Sequence, residues 1–265
     1  MTDLIKNNNH HALSAAFETP RMAEILESAS ARLGRQTKYT TKTSFAPSSF
    51  YSYGNGVCPR YWFYAFHGEV FEMENTARQR ANMDSGTAAG ERIAGLYEEA
   101  GILIDAEYDL HHDDPPIHGY IDLIVDWQGE EMIGEVKTTK AESWNIRQSQ
   151  MKPPGYQLIQ LLIYMHVMKK DKGFFVIENK NTHELLVIPV KMNEKNRELT
   201  ERVLDWMRMV KANSDTHKLP KRPFTRRSPQ CKSCPVQKAC WDGFNGKNDD
   251  LYPGIVELPP LEVPK

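Results

Sequence analysis

His118-Gly-Tyr-Ile-Asp122-Leu-Ile-Val-Asp-Trp127-Gln-Gly-Glu-Glu-Met-Ile-Gly-Glu135-Val-Lys137-Thr-Thr139 reads as two β-strands joined by a tight turn. Successive strand side chains alternate. In the run from Ile117 to Trp127, that alternation predicts Ile117, Ile121, Leu123, Val125 and Trp127 on one face and Asp122 on the other. Trp127-Gln128-Gly129-Glu130 reads as the turn, with Gly129 free to take positive φ. In the second strand Glu135 and Lys137 share a face, while Met132, Gly134 and Val136 lie opposite. Pairing would bring Asp122, Glu135 and Lys137 to one spot. Two carboxylates and an ammonium make a hard, oxygen-rich site for Mg²⁺ or Mn²⁺ with a cation beside it. For a single Asp or Glu, plain surface exposure is the ordinary explanation. A triple set in apolar strands and followed by Thr138, Thr139 and Lys140 favours a site.

Outward from this hairpin the pattern alternates between helix and strand. Pro153-Pro154-Gly155 precede a helix over about 156–170. On it Gln157, Gln160 and Tyr164 share one face and Leu158, Leu161, Leu162 and Met165 cover another. The apolar runs 173–178 and 185–190 read as a strand pair. Residues 193–213 read as a charged helix with Leu199, Val203, Trp206, Met207 and Val210 inward. Upstream, 102–110 reads as a strand, and Pro115-Pro116 break the chain before the hairpin. Residues 74–100 form the longest helix candidate, with Gly101 as its cap. Gly86, Gly90 and Gly95 each lower its helicity by up to about 1 kcal/mol relative to Ala. The expected compensation is close approach to another backbone, such as the sheet. Gly54-Asn-Gly56 reads as a turn before a short buried aromatic helix opened by Pro59. Pro20 opens a helix with Met22, Ile25, Leu26, Ala29 and Leu33 at helical spacing.

The chain has 265 residues, enough to bury a core without staples, and its 40% hydrophobic and 26% charged content is that of an ordinary globular protein. Net charge is −2, so any nucleic-acid partner must be steered by a local basic patch. No apolar run approaches the roughly 20 residues that span a bilayer. The N-terminus lacks the features of a secretory signal, so a cytoplasmic protein is expected. The domain reading is an N-terminal arm and helix over 1–50, a main domain over 51–245 and a Pro-rich tail over 246–265.

Cys231-x2-Cys234-x5-Cys240 is a compact ligand set, and Cys58 is the one other cysteine. Four thiolates fit a 4Fe–4S cluster or a Cys₄ zinc site. Structural zinc usually offers two paired knuckles; one lone and three grouped cysteines favour the iron–sulfur cluster. Lys221, Arg222, Arg226, Arg227, Lys232 and Lys238 surround the group. They read equally as a solvated face or as a phosphate-binding surface. Tyr61, Trp62, Phe63 and Trp241 could stack on bases, although core packing is the better expectation for them.

Taken in order, these motifs resemble the RecB-like branch of the PD-(D/E)XK nuclease superfamily. Within it the match is to the iron–sulfur exonucleases of the CRISPR-adaptation type and the nuclease domain of AddB helicase–nucleases. Cys58-Pro-Arg-Tyr is similar to the family's isolated first cluster cysteine, and Gly119-Tyr-Ile-Asp122 to its Gly-x-x-Asp motif. Glu135-Val-Lys137 is similar to Glu-x-Lys, Gln160-Leu-Leu-Ile-Tyr164 to the Gln-x-x-x-Tyr helix, and Cys231, Cys234 and Cys240 to the terminal triplet. One position departs. Many relatives carry Gly-x-x-x-His on the helix before the sheet, and Gly90 stands here where that His would fall. Glu91 is next in line as a third carboxylate ligand.

The resemblance implies an α/β fold: a central mixed β-sheet flanked by helices, a restriction-endonuclease-like core, with an iron–sulfur cluster joining N- and C-terminal segments. It implies a Mg²⁺- or Mn²⁺-dependent DNA exonuclease acting on single-stranded ends, in recombination, repair, replication or CRISPR adaptation. The metal would be held by Asp122, Glu135, the backbone carbonyl of Val136 and Glu91. Lys137 would serve the attacking water, and Gln160 and Tyr164 the substrate side. Helicase, recombinase or CRISPR-adaptation partners fit this reading, as do an oligomer and a phage origin. No Gly-x4-Gly-Lys-Ser/Thr loop is present, so ATP-driven unwinding would need a partner. The alternative is a non-catalytic DNA-end-binding module with a structural cluster.

Overall fold

The computed structural model describes residues 19–39, 41–50, 55–242, 255–258 and 261. The chain divides into two compact units, one of residues 1–37 and 72–85, the other of residues 38–71 and 86–265. In the first unit lies helix α1 (Thr19–Gly34). Its apolar residues Met22, Ile25, Leu26 and Leu33 are exposed.

Five strands form the main sheet, preceded by the short strands β1 (Arg35–Tyr39) and β2 (Val70–Glu74). They are β3 (Leu103–His112), β4 (Ile117–Trp127), β5 (Glu130–Thr139), β6 (Lys172–Asn179) and β7 (Leu185–Lys191), in the order β3-β4-β5-β6-β7. All neighbours are antiparallel except β5 and β6. A parallel pair needs a crossover, supplied by helices α4 (Ala141–Gln150) and α5 (Gly155–Val167), which follow α2 (Pro59–Phe66) and α3 (Ala77–Glu99) in the chain. The result is the expected mixed sheet with helices on its faces.

The β4–β5 turn is the tight one expected. Gln128 and Gly129 have φ of 58° and 81°, the double positive φ that matches the twist of a two-residue hairpin. At the start of α3, Thr76 and Gln79 cap each other: Gln79 N–H donates to Thr76 Oγ1 at 3.2 Å, and Thr76 N–H to Gln79 Oε1 at 2.8 Å. At its end Gly101 takes φ 70°, and Ile102 N–H reaches back to the Tyr97 carbonyl at 3.1 Å. That is the left-handed stop expected of this glycine.

Two cores flank the sheet. The larger holds α2, α5, helix α6 (Glu194–Asp215), and Ile124, Ile133, Phe175 and Ile177 from the strands. Helix α5 is buried almost all round, so its sequence is apolar on nearly every side. The smaller core packs Ile93 of α3 on Leu123, Val125, Phe174 and Val176.

Two expectations are corrected. Strict alternation placed Ile117, Ile121, Leu123 and Val125 on one face. Instead Ile117, Ile121 and Ile124 lie in the larger core, and Leu123 and Val125 in the smaller. The alternation changes phase at Asp122. Opposite it, β3 carries Glu107 at φ 52°, a backbone conformation that turns a strand out of its pleat. Trp127 is exposed. The second correction concerns Gly86, Gly90 and Gly95, where a Cβ would meet nothing within 4 Å. Ala89 and Ile93 are the buried residues of α3; Gly86 and Gly90 are half-buried beside that seam and Gly95 is exposed, and none of the three is closely approached. The close approaches are made at Gly119, against Tyr164, and at Gly134, against Phe174.

Candidate active site and cysteine cavity

The β4–β5 ladder runs from Trp127↔Glu130 to Leu123↔Gly134 and goes no further. At that fork the Asp122 carboxylate replaces a backbone acceptor. Its Oδ2 accepts from Val136 N–H at 2.7 Å. Glu135 is buried, its side chain 1% exposed, and the Lys137 ammonium donates to its Oε1. So the two strands do bring Asp122, Glu135 and Lys137 together. Gly119 keeps its place in the motif for a steric reason: a Cβ there would lie 2.5 Å from the Tyr164 hydroxyl. Helix α5 thus sits down on β4, and Tyr164 and its hydrogen-bond partner Gln160 line the same side as Glu135.

Burial dominates the electrostatics. It pushes the Glu135 carboxyl up to about 8, with Lys137 pulling back and Asp122 adding to the rise. It raises Asp122 as well, against the pull of Lys137 and the Val136 hydrogen bond. The two carboxyls are hydrogen-bond neighbours. Two carboxylates that close must share a proton or a cation. Tyr164 is also raised, by burial and then by Glu135.

In this site two buried acceptors, Glu135 Oε2 and Gln160 Oε1, meet no donor among the described residues. Leaving a buried acceptor unmade costs about 1–3 kcal/mol each. Such a concentration of unsatisfied oxygen beside a carboxylate pair fits a hard divalent cation. Asp122, Glu135 and the Val136 carbonyl would hold one.

Glu91 is exposed on α3. The motif reading missed Glu107, which lies across from Asp122 on β3. Though exposed, its carboxyl is raised by partial desolvation first, then by the charges of Asp122 and Glu91, with Lys137 opposing. Its one signal is the positive φ, which no sequence pattern announces in a non-glycine residue. His118 lies apart, on β3–β4 opposite His111.

All four cysteines line one cavity, with Arg60, Tyr61 and Trp241. None is in a disulfide. Cys58 is the N-cap residue of α2, with Pro59 at its first position as expected. Ser228 caps the short helix Pro229–Lys232 by accepting from Cys231 N–H at 3.3 Å. Burial pushes the Cys58 thiol up and Cys234 up to about 12, the other thiols adding to both. The buried Arg60 guanidinium points Nη1 at Cys240 Sγ, 4.0 Å away. Arg222 donates to the Cys240 carbonyl at 2.6 Å. Four thiols beside a buried cation fit an anionic thiolate-ligated centre. Tyr61, Trp62 and Phe63 are core residues, as their apolar surroundings predicted. Trp241 is half-buried and stacks under Arg222 at 4.9 Å.

A sequence model of the PD-(D/E)XK nuclease superfamily matches residues 87–241, more than half of the chain. No curated protein sequence matches it. Among solved structures, the alkaline exonuclease LHK-Exo from Laribacter hongkongensis aligns with TM-score 0.50 and 13% identity, over 65% of this chain and 90% of that one. LHK-Exo in complex with dAMP aligns with TM-score 0.42 and 16% identity, over 51% and 71%. The crystal structure of SSO0001 aligns with TM-score 0.43 and 13% identity, over 83% and 96%.

Proposed function

The chain belongs to the PD-(D/E)XK nuclease superfamily, and from that premise we propose that it is a divalent-metal-dependent deoxyribonuclease acting on DNA ends, single-stranded ones first. The observation that carries this is the buried carboxylate pair with its unsatisfied acceptors, set beside Lys137. A bound Mg²⁺ or Mn²⁺ would supply Lewis-acid neutralisation of the phosphoryl charge.

The chain's own groups do the rest. Glu135 fixes the Lys137 ammonium at the mouth of the site. There Lys137 orients an attacking water and donates to the charge that develops on the phosphoryl oxygens. Val136 N–H holds Asp122 in one rotamer. Tyr164, packed on Gly119 and held by Gln160, is buried beside Glu135 and stiffens that wall of the site. Glu91 and Glu107 place more negative charge at the rim, suited to a cation and unsuited to phosphate alone.

The cysteine cavity fits a 4Fe–4S cluster, with Cys₄ zinc as the other option. The nuclease domain would then be residues 51–245, with the cluster clipping its two ends and a 246–265 tail beyond. This is the RecB-like iron–sulfur arrangement of CRISPR-adaptation and AddB nucleases. Free thiols suit a reducing, cytoplasmic setting. Among the described residues no helix is long and apolar enough to cross a membrane.

The test is cleavage of end-labelled single-stranded DNA with Mn²⁺. Lys137→Ala should lower the rate about 10²–10⁴-fold, the usual worth of a positioned acid–base group, with the fold unchanged by circular dichroism. Full activity in that variant sinks the assignment. Metal-independent binding without any cleavage by the parent protein would instead establish an end-binding module. The exposed Glu91, standing after Gly90 where relatives place His, is what favours that second reading.

A further inference from the structure

We propose that Asp109, His111 and His118 form a second metal site, taking a borderline divalent transition ion such as Zn²⁺ or Co²⁺ and not Mg²⁺. Cross-strand register builds it. His111 and His118 are directly opposed on antiparallel β3 and β4, so they share a face, and Asp109 shares it two residues along. Both imidazoles aim the same nitrogen at the same oxygen. His118 Nε2 is 2.8 Å and His111 Nε2 3.2 Å from Asp109 Oδ1. The two rings stack at 4.3 Å and 7°, and Tyr120 packs edge-on against His118 at 5.4 Å. All three ligand atoms lie within 4.8 Å of one another.

In a tetrahedral site with bonds of about 2.0–2.1 Å, ligand atoms stand about 3.3 Å apart. The observed spacing therefore needs only small ring rotations to admit an ion. Two imidazole nitrogens and one carboxylate oxygen select zinc-like ions over Mg²⁺ or Ca²⁺, which prefer all-oxygen shells. The side chains are 65%, 53% and 37% exposed for His111, Asp109 and His118. Three protein ligands facing solvent leave a fourth position for water or an exchangeable ligand. The site is separate from the carboxylate pair: His118 is four residues from Asp122 along β4, about 13 Å at strand rise. An ion here would cross-link β3 to β4 beside the Glu107 kink. The inference does not depend on the nuclease reading.

Co²⁺ titration of the protein as purified, in excess Mg²⁺, tests it. Magnesium should fill the carboxylate pair and leave the histidine site open. The parent protein should bind one Co²⁺ with visible d–d absorption and without the near-ultraviolet sulfur charge-transfer band that the cysteine cavity would give. His118→Asn and His111→Asn, both surface changes, should each weaken that binding at least about tenfold. Equal Co²⁺ stoichiometry and affinity in parent and variants overturns the proposal, as does a spectrum showing sulfur ligation alone.

Discussion

Glu135 shows how much one burial can decide. In an exposed strand it would be an ordinary carboxylate. Sealed beneath Lys137 and beside Asp122, it holds its proton far above the usual range, up to about 8. The folded state then binds a proton more tightly than the unfolded chain does. The resulting stability is fully present below pH 4.5, the ordinary glutamate value, and is lost as pH rises through about 8. Melting temperature measured without divalent ions should therefore fall across that window. Glu135→Gln should flatten the fall, and Mn²⁺ should offset it, since a bound cation replaces the proton. An identical pH profile in the Gln variant would refute this account. Asp122 and Lys137 were legible at this scale because type and spacing sufficed. Glu107 was not: an acidic residue in an alternating strand carries no sign that its φ is positive or that it will face Asp122.

Among the elements, β4 and β5 were almost fully legible. A two-residue turn and period-two patterning are local properties, and local geometry delivered them. The phase change at Asp122 was hidden: it coincides with a left-handed residue, Glu107, opposite on β3, and no local pattern announces such a φ. The glycines teach the same lesson. Those on α3 looked like packing devices and face open space. Gly134, expected only to face away from Glu135, meets a neighbouring ring. A Cβ at Gly134 would stand 2.5 Å from Phe174 Cζ and 3.1 Å from Leu123 Cβ. Gly134→Ala should thus destabilise by about 1–3 kcal/mol through overpacking. Thermal or urea unfolding measures it, and Phe174→Leu in the same chain should recover much of the loss. Gly90→Ala should leave stability equal or higher, since nothing occupies the space.

At the scale of the whole molecule, the cysteine cavity joins Cys58 at the head of α2 to the segment after α6. A centre bound there would tie positions far apart in sequence and remove loop entropy from the unfolded chain, by several kcal/mol on a loop-closure estimate of about (3/2)RT ln n. Anaerobically purified protein should carry iron and acid-labile sulfide. Cys231→Ser, or oxidative loss of the cluster, should lower the melting temperature and expose residues 221–242 to protease. Zinc without iron would assign the cavity to a Cys₄ zinc site, and an unchanged melting temperature would show that it clips nothing.

Sequence alone determined the hairpin, the order of helices and strands, the mixed α/β class and the ordered motifs that mark the superfamily. Each depends on chain-local rules: side-chain period, turn chemistry and short fixed spacings. Only the tertiary structure decided which carboxyls are buried, that Glu107 joins Glu91 and Asp122, and that the strand reverses its faces at Asp122. It also decided that two histidines and an aspartate converge on β3 and β4. Burial and convergence depend on elements distant in sequence, and no local pattern encodes the desolvation or the contact that results.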